Sequence, residues 1–182
     1  MGYETEAAGS GSTALGKNTE ATGEGSLAIG NDSVASAKGA VALGTGAVAS
    51  GINSFAMGHQ NTTSDQTIAS QSFAFAFGLK DKAKKIGSWA IGKDNDIDGA
   101  YSLGFGELNQ ITAAHSLAIG KNNKAKGQFS HASGENSEAT AKYAFAHGNT
   151  AKASGISSVA LGANANATGQ NAIAIGPNAN AA

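Results

Sequence analysis

The chain has 182 residues, 12 lysines with no arginine against 13 acidic residues, and no cysteine. Near-neutral charge without arginine gives no electrostatic footprint for a nucleic acid or an anionic membrane, and the missing cysteines exclude a disulfide framework and any thiolate metal site. No apolar run approaches the length of a membrane span.

A five-residue phrase (small, large apolar, small, large apolar, glycine) recurs along the chain, ending at Gly16, Gly30, Gly44, Gly58, Gly78, Gly92, Gly106, Gly120, Gly134, Gly148, Gly162 and Gly176. Every interval is 14 residues except Gly58 to Gly78, which is 20. Such a period is the mark of a repeat architecture, and it argues against disorder in spite of the Gly, Ala, Ser and Asn content. Gly2 lies one period before Gly16, so the chain starts on a repeat boundary. Met1 then reads as an added start, and the chain as a segment of something longer.

Small and large residues alternate within the phrase, which predicts a short strand. Its large positions are, in chain order, Thr13/Leu15, Leu27/Ile29, Val41/Leu43, Phe55/Met57, Phe75/Phe77, Trp89/Ile91, Leu103/Phe105, Leu117/Ile119, His131/Ser133, Phe145/His147, Val159/Leu161 and Ile173/Ile175. The nine residues between phrases carry a second alternation. The third, fifth and seventh after each glycine are mostly small (Ser33, Ala35, Ala37), while the fourth and sixth are mostly polar (Lys82/Lys84, Asp96/Asp98, Lys124/Lys126, Lys152/Ser154). This predicts a second strand, small on one face and hydrophilic on the other. The glycine and the asparagines that follow it, such as Asn18, Asn122 and Asn178, supply a turn. The long interval carries six extra residues within 59–73, read as a polar loop centred on Thr62–Ile68 that rejoins the register at Ala74.

Each 14-residue unit therefore makes one rung of two parallel sheets, with the small faces meeting in a narrow interior. The large residues of the first strand are left pointing outward. Twelve rungs spaced ~4.8 Å apart make that stripe roughly 55 Å long. A monomer does not leave such a patch wet, so the chain reads as an obligate oligomer that buries the stripe around a shared axis. The period alone does not fix the number of chains.

Candidate chemistry is sparse. His131 and His147 fall on adjacent rungs at stripe positions, where a shared axis would gather them into an ion-binding or pH-sensitive site, or into a polar layer satisfied by Ser133 and water. Asp94, Asp96 and Asp98 lack the spacing and the distal glutamate of a calcium loop, so no metal is assigned. Lys80, Lys82, Lys84 and Lys85, with Lys124, Lys126 and Lys152 further along, make a basic column that suits sulfated glycans or acidic partners as well as it suits plain solubility. No nucleophile–base pair is evident, and neither a catalytic residue nor a cofactor is assigned.

Phrases such as Ser26-Leu27-Ala28-Ile29-Gly30, Ser116-Leu117-Ala118-Ile119-Gly120 and Ser158-Val159-Ala160-Leu161-Gly162 resemble, at this spacing, the head domains of trimeric autotransporter adhesins of the Yersinia adhesin type. The resemblance covers essentially the whole chain. It implies an all-β, left-handed parallel β-roll, read as one repeat domain over 1–182, with three chains around a common axis. The stripe from Leu27/Ile29 to Ile173/Ile175, including His131, Phe145 and His147 but not Ser133, would then be the trimer interface. Lys82, Lys84, Asp96, Asp98, Lys124, Lys126 and Lys152 would face a ligand. Heads of this family attach bacteria to collagen, fibronectin, laminin or cell-surface receptors, at the distal part of a fibre anchored in the outer membrane. The segment itself would touch neither nucleic acid nor membrane. A segment of a phage tail fibre and a structural spacer that projects another binding domain are the competing readings, with an ice-binding solenoid a distant fourth.

Overall fold

The computed structural model describes residues 2–59 and 65–182, and Thr62, Thr63 and Ser64 of the predicted insertion lie outside the described residues. Every regular element is a β-strand, so among the described residues there is no helix long and apolar enough to cross a membrane. The chain divides into two compact units, Met1–Asp94 and Asn95–Ala182.

Each unit is a parallel β-solenoid. In the first, long strands running from Thr13–Lys17 to Trp89–Lys93 form one sheet and short strands running from Glu6–Ala7 to Lys82–Ala83 form the other. Register advances by one repeat per rung, as in Thr13↔Leu27 and Phe75↔Trp89, and by the longer interval only at Phe55↔Phe75. The second unit repeats the plan, with long strands from Leu103–Glu107 to Ile173–Ile175 and short ones from Asp96–Ile97 to Asn180–Ala181.

Two-residue periodicity explains which side chains go inside. Ala28, Ala42 and Ala56 of the long strands and Ala21, Ala35 and Ala49 of the short strands are fully buried, so the interior is a thin layer of methyl groups from facing sheets. The buried asparagines of that layer are satisfied along the stack, whereas the hydroxyls of Ser26, Ser33, Ser130 and Ser158 have no partner among the described residues. Asn109 donates from Nδ2 to Asn95 Oδ1 (2.9 Å) and to the Gly120 carbonyl (2.9 Å), and Asn123 repeats the pattern against Asn109 (3.1 Å) and Gly134 (2.8 Å). Buried amides tolerate the interior only because each has such partners.

Three details depart from the sequence reading. The interior is not uniformly small, because Ile97, Ile111, Asn95, Asn109 and Asn123 are among its fully buried side chains. Gly104 answers Ile97 across the rung, where a Cβ would overlap Ile97 Cδ1. The insertion also ends earlier than expected. Ile68–Ala69 is a strand in register with Val48–Ala49, and Thr67 is already buried with its hydroxyl on the Gly78 carbonyl (2.8 Å). The chain is back in phase by Thr67 rather than Ala74, because Thr67 and Ala69 fit the narrow interior while Ile68 faces out. Finally, each rung contains a second turn. Besides the predicted left-handed residues Asn18, Asn122 and Asn178 (φ 51°, 53° and 58°), a left-handed residue lies five positions before each phrase glycine, such as Asn53 and Asn171 (φ 53° and 59°).

The Gly104–Ile97 fit sets a test. Gly104→Ala should destabilise the fold by about 1–3 kcal/mol through overpacking. Ile97→Val alone should cost about 0.5–1.5 kcal/mol. Denaturant unfolding of the double variant should recover most of the Gly104→Ala loss, whereas simple additivity would show that the two side chains do not compete for one space.

Candidate functional site

The most distinctive surface is the outward face of the long strands. In the first unit, Leu27, Val41, Phe55 and Phe75 are half-buried, while Ile29, Met57, Phe77 and Trp89 are exposed; Leu43 and Ile91 are half-buried. Parallel register sets like beside like. Phe55 stacks on Phe75 with centroids 5.0 Å apart, and Phe75 meets Trp89 at 5.1 Å. In the second unit Leu103, Leu117, Phe145 and Val159 are half-buried, and Phe105, Ile119, Leu161, Ile173 and Ile175 are exposed. Within each unit the predicted stripe residues thus share one face, and large apolar side chains there keep substantial contact with solvent.

That face changes chemistry at His131–Glu135 and Phe145–Asn149. Ser133 is buried and its hydroxyl meets His147 Nδ1 at 2.7 Å. His131 packs edge-on against Phe145 (4.8 Å), and its Nε2 is shielded from solvent with no hydrogen-bond partner among the described residues. Burial, and then the charge of His147, hold the His131 pKa below its ordinary value of 6.5. The two imidazoles are thus placed differently, His147 exposed and bonded to serine, His131 half-buried. Among the described residues no group of three or more His, Cys, Asp or Glu could hold a metal ion.

The short strands present the other outward face. Lys82 and Lys84 of the first unit are half-buried, as are Asp96 and Lys124 of the second, while Asp98, Lys126 and Lys152 are exposed. In the second unit one lysine of the expected basic column is paired with a carboxylate. Lys124 Nζ lies 2.9 Å from Glu138 Oε1 on the next rung. The hydrogen bond from Lys124 holds the Glu138 pKa below its usual value, desolvation opposes this, and the charges of Lys124, Lys126 and Lys152 add to the lowering. In the first unit Lys80 reaches both Asp65 (3.7 Å) and Asp94 (3.5 Å). On this face of the second unit, charge alternates from rung to rung at Lys124, Glu138 and Lys152.

A further feature was missed from the sequence. At the second turn, four consecutive rungs carry Tyr101, His115, Phe129 and Tyr143, stacked at 5.4, 5.0 and 5.3 Å with interplanar angles of 13°, 9° and 13°. All four are left-handed, with φ of 53°, 57°, 59° and 60°. Holding a residue with a Cβ in that region costs roughly 1–2 kcal/mol. Three stacked pairs return about 0.5–1.5 kcal/mol each, so stacking offsets only part of the strain of four such residues. The rings remain open to water, Tyr101 at 57%, Phe129 at 43% and Tyr143 at 51% exposure. The signal that could have found them is the same column elsewhere, occupied mostly by glycine or asparagine (Gly11, Gly25, Gly39, Asn53, Gly87 and Asn171), with Phe73 and Ser157 the exceptions.

Acid sensitivity follows from His131. A depressed native pKa means that its contribution is fully present above pH 6.5, the ordinary value, and is lost as pH falls through the lower native pKa. Unfolding midpoints should therefore drop on acidification below neutrality, and His131→Leu, which supplies the residue found at Leu103 and Leu117, should flatten that segment of the curve. An unchanged slope in the variant would assign the sensitivity to other groups.

Comparison with known proteins gives one family. The profile of the YadA head domain repeat matches residues 1–19, 21–47, 49–80, 112–137, 139–165 and 153–179, well over half of the chain. No curated protein matches. The family is generally non-catalytic, its members are homotrimeric, and the solenoid rungs described above are its repeat. The chain belongs to the YadA head repeat family, and is a head domain of the trimeric autotransporter adhesin type, part of a surface-exposed adhesin fibre.

Proposed function

We propose that this head lies in the distal part of the fibre and attaches a bacterium to host extracellular-matrix proteins, of the collagen, fibronectin or laminin class, or to cell-surface receptors. In this reading three copies bury the stripe between them, with Leu27/Ile29 through Ile173/Ile175 as the interface. One observation carries it: the outward row of large apolar residues on the long strands, with Trp89 at 48% and Phe105 at 52% exposure in a single chain. Soluble monomers rarely expose contiguous apolar surface of this kind. Burying the row leaves the short-strand face outermost, so Lys82, Lys84, Asp96, Asp98, Lys124, Lys126 and Lys152 become the residues available to a ligand. The unbroken phase from Gly78 to Gly176 supports reading residues 1–182 as one repeat domain.

Light scattering coupled to size exclusion tests the assembly. A mass near three times the 17.8 kDa chain is expected. Ile119→Asp should abolish the trimer, because three carboxylates would be desolvated together at a cost of several kcal/mol each. Lys126→Asp, on the outer face, should leave it intact. Equal behaviour of the two variants would overturn the assignment of faces. Adhesion is tested separately by binding of the trimer to immobilised collagen, fibronectin, laminin and whole host cells. Binding should occur with at least one of them and fall with charge reversal on the short-strand face, whereas a trimer that binds none acts as a spacer.

A further inference from the structure

We propose that the ring ladder of Tyr101, His115, Phe129 and Tyr143 docks against a second copy of this chain, extending the contact between protomers sideways from the apolar stripe. The proposal rests on the reading that the stripe is buried between copies.

Continuity is the first argument. Between each ring and the stripe residue two positions on stands one buried residue, Ser102, Ser116, Ser130 or Ala144, none more than 3% exposed. Ring and stripe are therefore close neighbours along the chain, with no charged side chain between them in the sequence. The opposite edge of the stripe differs. There the residue after each phrase glycine is Glu107, Lys121, Glu135 or Asn149, of which the last three are exposed. The outward apolar surface of the second unit is thus widened on one edge only. In a three-fold ring each copy presents one edge to a different surface of its neighbour, so a one-sided extension suits a ring contact.

The turn supplies the second argument. It closes without a ring in most other rungs, as at Gly25 (φ 62°), Asn53 (φ 53°), Ser157 (φ 56°) and Asn171 (φ 59°), with Phe73 (φ 58°) a lone further aromatic, so the fold does not require rings there. Four bulky side chains in a strained conformation on successive rungs need a reason outside the turn. The third argument is compensation. Phe129 and Tyr143 stand on the two rungs where the stripe carries His131/Ser133 and His147, so apolar surface missing from the stripe is restored beside it. Geometry also disfavours a small ligand. The faces of His115 and Phe129 are covered by their neighbours in the stack, and the outer face of Tyr143 lies under Lys142 Nζ (4.8 Å), so along most of the ladder only ring edges are presented, which fit a packed protein surface better than a stacked sugar or base.

Hydroxyl-radical footprinting of the intact trimer, read by mass spectrometry, tests the proposal. Tyr3 is the internal reference, 65% exposed and in the column that holds Lys17, Asn31 and Lys93 in other rungs. Tyr101 and Tyr143 should be oxidised several-fold more slowly than Tyr3, and equal rates would overturn the proposal. In parallel, Phe129→Asn/Tyr143→Asn supplies the residue this turn already accepts at Asn53 and Asn171. The trimer should then dissociate at a several-fold higher protein concentration than wild type. A trimer that is equally or more stable would overturn the second-copy assignment, and loss of matrix binding by that intact trimer would give the ladder to an external protein. Ile119→Asp separates the two levels, since a trimer that survives it sinks the stripe reading itself.

Discussion

Parallel pairing between rungs is the interaction on which everything else depends. Amides of one rung donate to carbonyls of the next, as from Gln110 to Asn123 (2.9 Å), Lys124 to Ser137 (2.9 Å) and Glu138 to Ala151 (2.8 Å). The ladder closes only if every rung places its strands and turns at the same height, as the longer interval between Gly58 and Gly78 also does. Gly120 shows how tight this is: a Cβ there would overlap the carbonyl oxygen of Gly134 one rung on, and its φ of 112° disfavours any other residue. Strict phase in the sequence is the imprint of that geometry.

Once backbone register is locked, side chains have no choice but to form columns, and each column must be tolerable when stacked at the spacing of the rungs. Alanine columns line the interior, fully buried. Asparagine columns tie themselves together through amide chains, as Asn95, Asn109 and Asn123 do. Charged columns survive by alternating sign, as Lys124 and Glu138 do. Aromatic columns stack, both on the stripe at Phe55 and Phe75 and at the second turn from Tyr101 to Tyr143. A substitution in such a protein is judged first against the rungs above and below it.

The same constraint explains why the large residues point outward. Two short sheets that face each other closely leave room for methyl groups and small polar side chains, and Ile97 fits only because Gly104 recedes. A chain built this way has only a thin interior, and its large apolar side chains stand on the outward face of the long strands. Family membership makes the assembly homotrimeric, and His131, Ser133 and His147 are where the stripe is least apolar.

Much of this was legible in the residues alone. Period-two alternation and the spacing from Gly16 to Gly176 determined the rung length, the two strands and which positions face inward, because a side-chain period of two admits only one assignment of faces once small residues are required inside. Tertiary structure decided what depends on neighbours across rungs. Counting forward from Gly58 put the end of the insertion too late, because only pairing of Ile68 with Val48 reveals where phase resumes. Lys124 looked like part of a basic patch until Glu138 was found beside it. The ring ladder stayed hidden because its members lie fourteen residues apart, in a turn whose left-handed backbone no local signal at a tyrosine or phenylalanine announces. Contacts between columns are set by stacking, and the sequence specifies them only after the register of the rungs is known.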